Sequence, residues 1–342
     1  MASRNLVGID VGSKFIKAVQ VTETSGQYKV TEFGIAEVNP QVSVPDTINE
    51  LFSKKGFKTK RVVTAVSGRF VFVRYISMPV MTDEELVNAA KYELGKYIPV
   101  EVDEVLHDSQ KLEELAAQEG QEPEMRVLLV AAKRTFIDEH VAVLETAGLQ
   151  PAVVDVDSFA LGNAYELSGS INPQAVAQGK LVALVDIGAS KTNINIMSDS
   201  VSYFTREFYK GGDDLTDAIS KKLSLEAKEA ESFKRNPGGE MEKLQDAISG
   251  VLDDVCHDIN ISLDYFENQY DKKVEEIYVT GGASNTAGLP ETLERTVQKP
   301  VNRWNPLQHL ELDLPKDSAQ ELQDNAAQAA IALGLASRIR KD

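Results

Sequence analysis

The chain has 342 residues, 42% hydrophobic and 26% charged, enough for about two ordinary domains around substantial cores. A net charge of −17 excludes a general nucleic-acid binder and direct adhesion to anionic lipid, since both need a basic surface. Cys256 is the only cysteine, which excludes an intrachain disulfide and a cysteine-rich zinc site, and the four histidines show no ligand spacing.

The stretch Leu6 to Val21, LVGIDVGSKFIKAVQV, reads as strand, tight turn, strand. Asp10 stands where the first apolar run ends, and Gly12 and Ser13 supply the turn. Glycine there lets a ligand approach the backbone, and successive N–H groups in such a turn form an anion-binding concavity. A carboxylate beside a phosphate pocket is electrostatically sensible when a hydrated Mg²⁺ lies between them. Taken singly, such a hairpin is more often an ordinary turn.

Tyr28 to Val38 reads as a further strand, Pro40 and Pro45 as a loop, and Asp46 as the cap of a helix over Thr47 to Lys54. The basic run Lys54 to Arg61 is a solvated helix end, and Arg61 to Ser67 is a strand. Phe70 to Ile76 alternates strongly. Thr82 and Glu85 then form a capping box for a helix over Asp83 to Tyr97, with Leu86, Ala89, Ala90 and Leu94 on one stripe. Glu101 to Lys111 reads as extended, Leu112 to Glu124 with Gly120 and Pro123 as a mobile connection, and Met125 to Ala132 as a strand. A helix over Thr135 to Ala147 ends at Gly148, and Pro151 to Val156 is a strand. The next helix, Ser158 to Leu167, has Asp157 at or near its N-cap.

About half a chain after the first hairpin the pattern returns in Leu181 to Met197, LVALVDIGASKTNINIM. Asp186 matches Asp10, Gly188 matches Gly12, and Thr192 adds a hydroxyl after the turn. Two such hairpins point to a duplicated unit whose copies face one cleft, although duplication by itself also serves a purely structural purpose. Ser200 to Tyr209 reads as a strand, Asp213-Asp214 as the start of a helix to Leu223, and Ser224 to Arg235 as a charged helix. Glu242 to Tyr270 is a long amphipathic helix whose apolar side is core. Glu276 to Thr280 is a strand running into Gly281-Gly282, followed by a helix over Leu289 to Val297 and a short strand at Val301 to Trp304. Leu310 to Lys316 reads as a loop and Gln320 to Arg338 as one Ala-rich final helix. The glycine turns at Gly188, Gly211-Gly212 and Gly281-Gly282, with Gly12, suggest a nucleotide with its phosphates at the two hairpins and its base at the paired glycines. Apolar runs such as Val127 to Ala132 fall far short of the roughly 20 residues that cross a bilayer. The first strand begins by Leu6, leaving no room for a signal peptide, so a cytoplasmic chain is expected.

GIDVGSKFIKAV, VDIGASKTNI and YVTGGASNTAGL resemble, in order, the two phosphate motifs and the adenosine motif of the actin-like ATPase superfamily. YISMPVMTDEELVNAAKYELGKYIPVEVDEVLHDSQ, LLVAAKRTFIDEHVAVLETAGLQPAVVDVDSFALGNAY and the terminal NAAQAAIALGLASR are similar to the PilM family of type IV pilus assembly proteins, relatives of FtsA. The resemblance implies an α/β, two-lobed actin-like ATPase fold of duplicated ribonuclease H-like domains with an inserted small α+β subdomain. The implied division is 1–72 with 151–178, an insert at 73–150, a second domain at 179–317 containing a helical subdomain at 212–272, and a C-terminal helix at 318–342 packing back on the first domain.

It also implies ATP and Mg²⁺ as cofactors. Asp10 and Asp186 would orient the metal through water. Gly12, Ser13, Gly188 and Ala189 would offer N–H groups to phosphate, with Thr192 nearby and Lys17 as a point charge. Gly211 and Gly212 would line the ribose side, Glu231 and Lys234 would contact the adenosine, and Gly281, Gly282 and Ala283 would pack under the base. Lys191 departs from the Ser or Thr of many relatives. Asp155 and Asp157 lie where relatives position the hydrolytic water, and Asp157 is the catalytic candidate, with a helix cap as its other reading. At most slow ATP hydrolysis is expected. The implied partner is the cytoplasmic N-terminal peptide of an inner-membrane pilus protein of the PilN kind, bound in a nucleotide-sensitive way. This would hold the chain at the inner face of the inner membrane with no direct insertion and no nucleic acid. A homo-oligomer is compatible with it. An FtsA-like division or filament protein and a small-molecule kinase of the same superfold are the alternatives; the first lacks its basic amphipathic tail here, and the second its recognisable sugar-binding aspartate.

Overall fold

The computed structural model describes residues 4–115 and 122–340. The chain forms two compact units, Met1–Ala65 with Ala147–Asp342, and Val66–Thr146.

The larger unit opens with three antiparallel strands, β1 (Arg4–Val11), β2 (Phe15–Thr24) and β3 (Gln27–Glu37). Helix α1 (Val44–Lys54) follows, then β4 (Arg61–Val66), which pairs parallel with β1. The cap of α1 is Ser43 and not Asp46: the Ser43 hydroxyl accepts the N–H of Asp46, which sits in the first turn beside Pro45. A proline early in a helix is tolerated because its missing N–H would be an orphan there anyway, so the helix starts earlier than the acidic residue suggests.

The smaller unit contains β5 (Val71–Pro79), α2 (Asp83–Leu94), β6 (Val105–Glu114), β7 (Glu124–Lys133) and α3 (Arg134–Thr146). Its antiparallel sheet runs in the order β5-β7-β6. The capping box of Thr82 and Glu85 forms as expected, and Leu86, Ala90 and Leu94 bury one stripe against Met125, Val127 and Leu129. The helix stops at Leu94, short of Tyr97, where hydrogen bonds from Lys96 to Glu93 and from Tyr97 to Leu94 tighten the chain into a turn. Of the expected connection after Leu112, residues 112–114 belong to β6, and its centre with Gly120 lies outside the described residues.

The larger unit resumes with β8 (Gln150–Val156), α4 (Asp157–Ile171), β9 (Val182–Ile187), β10 (Thr192–Ser198) and β11 (Val201–Phe208). Helices α5 (Gly212–Leu223), α6 (Ala227–Arg235) and the 30-residue α7 (Met241–Tyr270) follow. Then come β12 (Glu276–Thr280), α8 (Leu289–Val297), β13 (Val301–Arg303), β14 (Glu311–Leu312), α9 (Lys316–Asp324) and α10 (Ala330–Ala336). Two sheets result, β14-β3-β2-β1-β4-β8 and β11-β10-β9-β12-β13. Each puts its first strand (β1, β9) next to an antiparallel hairpin partner on one side and a parallel strand on the other. That shared plan is the structural form of the sequence repeat. Glu311 and Leu312, expected in a loop, add the short edge strand β14 beside β3.

The core of the second sheet is sealed by α7 and α8 through Ile248, Val255, Ile259, Phe266 and Leu293. The first sheet is sealed by the C-terminal segment through Leu333, Leu335 and Ile339. That segment is not one helix. The carbonyl of Ala327 accepts the N–H of Gly281 and the hydroxyl of Thr280, so it is diverted from a continuous helical ladder. The chain passes through a short 3₁₀ turn there before α10.

Helix α10 lies backbone-close to its neighbours. A methyl group on Gly8 of β1 would stand 2.0 Å from the Ala332 carbonyl oxygen, and one on Gly334 would stand 1.7 Å from that of Ala160 in α4. Arg338 then ion-pairs at 2.7 Å with Asp155, the penultimate residue of β8, whose carboxylate also accepts from Asn163 and the Val156 N–H. Asp155 is thereby spent on fastening the C-terminal segment. Among the described residues no helix is long and apolar enough to cross a membrane.

Candidate functional site

Strands β1 and β9 each carry an aspartate as their penultimate residue, and each runs into the same turn. The N–H of Gly12 donates to the Phe15 carbonyl at 3.2 Å, and that of Gly188 to the Lys191 carbonyl at 2.9 Å. At both glycines a side chain would crowd that same carbonyl, with 2.8 Å to Phe15 O and 3.0 Å to Lys191 O. The two turns meet at their tips, where the Ser13 and Ser190 hydroxyls lie 3.0 Å apart.

The repeat differs opposite the aspartates. In the β1–β2 ladder Asp10 faces Lys17, and in the β9–β10 ladder Asp186 faces Asn193. Lys17 Nζ is 2.6 Å from Asp10 Oδ2, so that charge is neutralised. Asn193 offers Asp186 only an amide at 3.5 Å. Burial and the nearby charge of Asp10 therefore push the Asp186 carboxyl up to about 6, against the opposing pull of Lys17. One negative charge in this place still lacks a full counter-charge.

Helix α5 begins against the second turn. The N–H groups of Gly212 and Asp213 donate to the carbonyls of Gly188 and Ala189 at 2.9 and 2.8 Å. Gly211 has no room for a side chain, since a methyl group would lie 2.5 Å from the Ala189 carbonyl oxygen. Thr192 is fully buried and its hydroxyl donates to the Lys210 carbonyl, tying the second hairpin to the residue before this helix.

On α6, Lys234 is buried and donates to the Gly212 carbonyl, the Thr216 hydroxyl and Glu231 Oε2, all within 2.9 Å. Burial alone would raise the Glu231 carboxyl. Lys234, Thr216 and Lys14 outweigh it and hold Glu231 down at about 2. Gly281 takes φ +86°, and a side chain there would strike Asp186 Oδ1 at 2.4 Å. Gly282 packs beside Gln328, while Ala283 lies in the core next to Gly212. Asp10, Gly12, Ser13, Lys17, Asp186, Gly188, Ala189, Gly211, Gly212, Glu231, Lys234 and Gly281 thus stand in one linked neighbourhood. Thr192 and Ala283 support it from inside, and Gly282 flanks it.

Asp157 is the first residue of α4, one place past the N-cap position held by Val156. Its Oδ2 accepts from Lys191 Nζ at 2.7 Å, and Lys191 also reaches Glu207 Oε2 at 3.3 Å. Burial would lower the Lys191 ammonium, but the two carboxylates raise it. A second lysine was not among the candidate residues. Lys14, next to Ser13, donates to Asp213 Oδ1 at 3.2 Å and Glu231 Oε2 at 3.5 Å, joining the first turn to α5 and α6. Its signal is in the sequence, because both turns end in Ser-Lys, Ser13-Lys14 and Ser190-Lys191.

Chemically, the place offers two glycine turns, an aspartate screened by lysine, a second that is costly to ionise, and a polar cluster of Thr216, Glu231 and Lys234. A hydrated divalent cation would supply the charge that Asn193 does not, and phosphate oxygens would suit the turn N–H groups. The residues fit magnesium nucleotide.

A family model described as type IV pilus assembly protein PilM matches residues 8–340. Over 97% of this chain and 98% of the other, the fold is similar to that in the structure titled PilM-PilN type IV pilus biogenesis complex, with 28% identity and a TM-score of 0.82. The ethanolamine utilization protein EutJ from Carboxydothermus hydrogenoformans covers 98% of this chain (90% of its own) at 15% identity and TM-score 0.55. MreB5 of Spiroplasma citri bound to AMPPNP covers 99% (96% of its own) at 11% and 0.52. These two show the fold alone. The cell division protein FtsA of Streptococcus pneumoniae serotype 2 (strain D39 / NCTC 7466) is 24% identical over 68% of this chain. The chain spans about half (55%) of the length of that curated relative. A division or filament protein and a small-molecule kinase are accordingly not favoured. Twin aspartate turns on duplicated sheets, and a family match running from the first strand to the last turn, lead to one statement: the chain has the actin-like ATPase fold and belongs to the PilM family of type IV pilus assembly proteins.

Proposed function

We propose that this protein binds Mg·ATP between its two turns and, in that state, holds the cytoplasmic N-terminal segment of a PilN-like inner-membrane protein, which keeps it at the inner face of that membrane. The observation that carries the partner is the near-complete likeness, at 28% identity, to the PilM of a PilM–PilN complex. The observation that supports the nucleotide is the pair of turns, alike in their glycine hydrogen bond and touching at Ser13 and Ser190.

Asp10 and Asp186 orient the hydrated metal, and Lys17 leaves Asp10 for a phosphate oxygen as the metal takes its place. Ser13 and Ala189 donate N–H groups to the phosphates, while Gly12 and Gly188, whose own N–H groups close the turns, let the phosphates approach. Gly211 and Gly212 flank the ribose, Glu231 and Lys234 meet the adenosine, and Gly281, Gly282 and Ala283 form the floor under the base. Among the described residues no three His, Cys, Asp or Glu side chains form a metal-holding group, in keeping with a magnesium held mainly by water and phosphate. Because both turns grip one ligand, nucleotide favours the arrangement in which they face each other, and a partner that prefers this arrangement binds more tightly with it.

The test is capture of the protein on immobilised cytoplasmic segments of inner-membrane pilus proteins, with and without Mg·ATP. Retention on the PilN-like segment, strengthened by nucleotide, is expected. Equal binding with and without nucleotide would sink the coupling, and no binding to that segment would sink the partner.

A further inference from the structure

Resting on the nucleotide reading above, we infer that Lys191 is a positioning residue that restrains Asp157, so that the site retains nucleotide and turns it over only slowly. Asp157 stands at the start of α4, its side chain only 10% exposed, close enough to Asp186 for their charges to interact. On the nucleotide reading it serves as the carboxylate that orients and deprotonates an attacking water. For that work it needs an oxygen with basic lone pairs turned to the water. Lys191 Nζ instead donates to Oδ2 at 2.7 Å. An ammonium on a carboxylate lowers its basicity and fixes its rotamer.

The restraint is itself held in place. Glu207 on β11 draws the same ammonium from the other side at 3.3 Å, and its own side chain is only 19% exposed. Lys191 lies on the second turn and Asp157 on α4, so the ion pair also ties the turn to the element that bears the candidate base. The first turn differs. There Lys14 spans to Asp213 and Glu231, on helices α5 and α6, and leaves no comparable clamp on a water-positioning carboxylate.

Lys191→Ser removes the clamp. In the released enzyme a water oxygen bonds to the γ-phosphorus, the bond from that phosphorus to the β–γ bridging oxygen breaks, and Asp157 takes the proton that water loses, leaving ADP and inorganic phosphate. The experiment measures two quantities separately on the full chain: affinity for Mg·AMPPNP by calorimetry, and steady-state release of phosphate from Mg·ATP. Lys191→Ser should raise kcat at least tenfold with KM changed by less than about threefold. Lys191→Arg should stay at the wild-type rate. Lys191→Ser with Asp157→Asn should return to it, which a merely structural role of Lys191 would not produce. Glu207→Gln combined with Lys191→Ser guards against misfolding, since it removes the second carboxylate that loses its partner, and should show the same gain. A Lys191→Ser protein that binds Mg·AMPPNP like wild type yet releases phosphate no faster overturns this inference and leaves nucleotide binding standing. A wild-type protein that does not bind Mg·AMPPNP overturns the nucleotide reading, and the inference with it. Rapid wild-type hydrolysis that Asp157→Asn abolishes also overturns the inference, because Asp157 would then be working with Lys191 in place.

Discussion

Ser13 and Ser190 lie on turns half a chain apart, and their hydroxyls are 3.0 Å from one another. A triphosphate held by both turns has to sit where their tips now meet, so binding should part them. With Ser13→Cys and Ser190→Cys together, mild oxidation should cross-link the nucleotide-free protein quickly, and Mg·ATP should slow the reaction severalfold. The native Cys256 will not interfere, because burial pushes its thiol up to about 12. A gel that resolves the cross-linked form reports the rate; equal rates with and without nucleotide would show that the ligand binds elsewhere.

Asp10 carries the second prediction. Asp10→Asn keeps the shape of the turn but removes the charge that both Lys17 and a hydrated metal seek. Affinity for Mg·ATP should fall about a hundredfold, roughly 2.7 kcal/mol. Affinity for ATP without magnesium should hold or rise, since Lys17 is then free to meet phosphate. Calorimetry with and without EDTA distinguishes this from a general loss of fold, which would weaken both.

The third concerns acid. Glu231 is held down at about 2 by Lys234, Thr216 and Lys14, against an ordinary carboxyl value of 4.5. A carboxylate depressed in the folded state contributes stability that is complete above 4.5 and disappears as pH falls through the folded value. Glu231→Gln should therefore cost about 2 kcal/mol at pH 7, a figure reduced for its partial exposure, and close to nothing near pH 2. Urea unfolding across that range measures it. A cost that does not shrink with acid would mean that shape rather than charge is at stake.

Gly334→Ala tests the packing of the C-terminal segment. The added methyl group meets the Ala160 carbonyl at 1.7 Å, and backbone on both sides leaves it nowhere to go. Destabilisation of about 3 kcal/mol or failure to fold is expected. Gly250→Ala, on an open face of α7, serves as the control and should be neutral or slightly stabilising. Thermal melting of the pair decides.

The strands and most helices were legible because their patterns are local: the runs around Ile9 and Val185, the box at Thr82 and Glu85, and the stripe from Leu244 to Leu263. The repeat of Asp10-x-Gly12 in Asp186-x-Gly188 was legible as two alike turns for the same reason. What could not be read was set by tertiary partners. Asp46 looked like a cap because nothing local says that Ser43 can precede Pro45 in the role. The final helix looked continuous because only the fold brings Gly281 and Thr280 to the Ala327 carbonyl. Asp157 was ambiguous for want of Lys191, and Lys14 went unnoticed although both turns spell Ser-Lys, since its partners Asp213 and Glu231 are some two hundred residues away.

Gly8 on β1 is seated against Ala332 on α10, far later in the chain. During synthesis the strand that bears Asp10 thus waits for α10 before its cover is made. The second sheet with α7 and α8 can collapse earlier, around neighbours already in hand. Co-translational assembly should therefore run from the middle of the chain outward, and a nascent chain stalled before α10 should expose an open apolar sheet to chaperones.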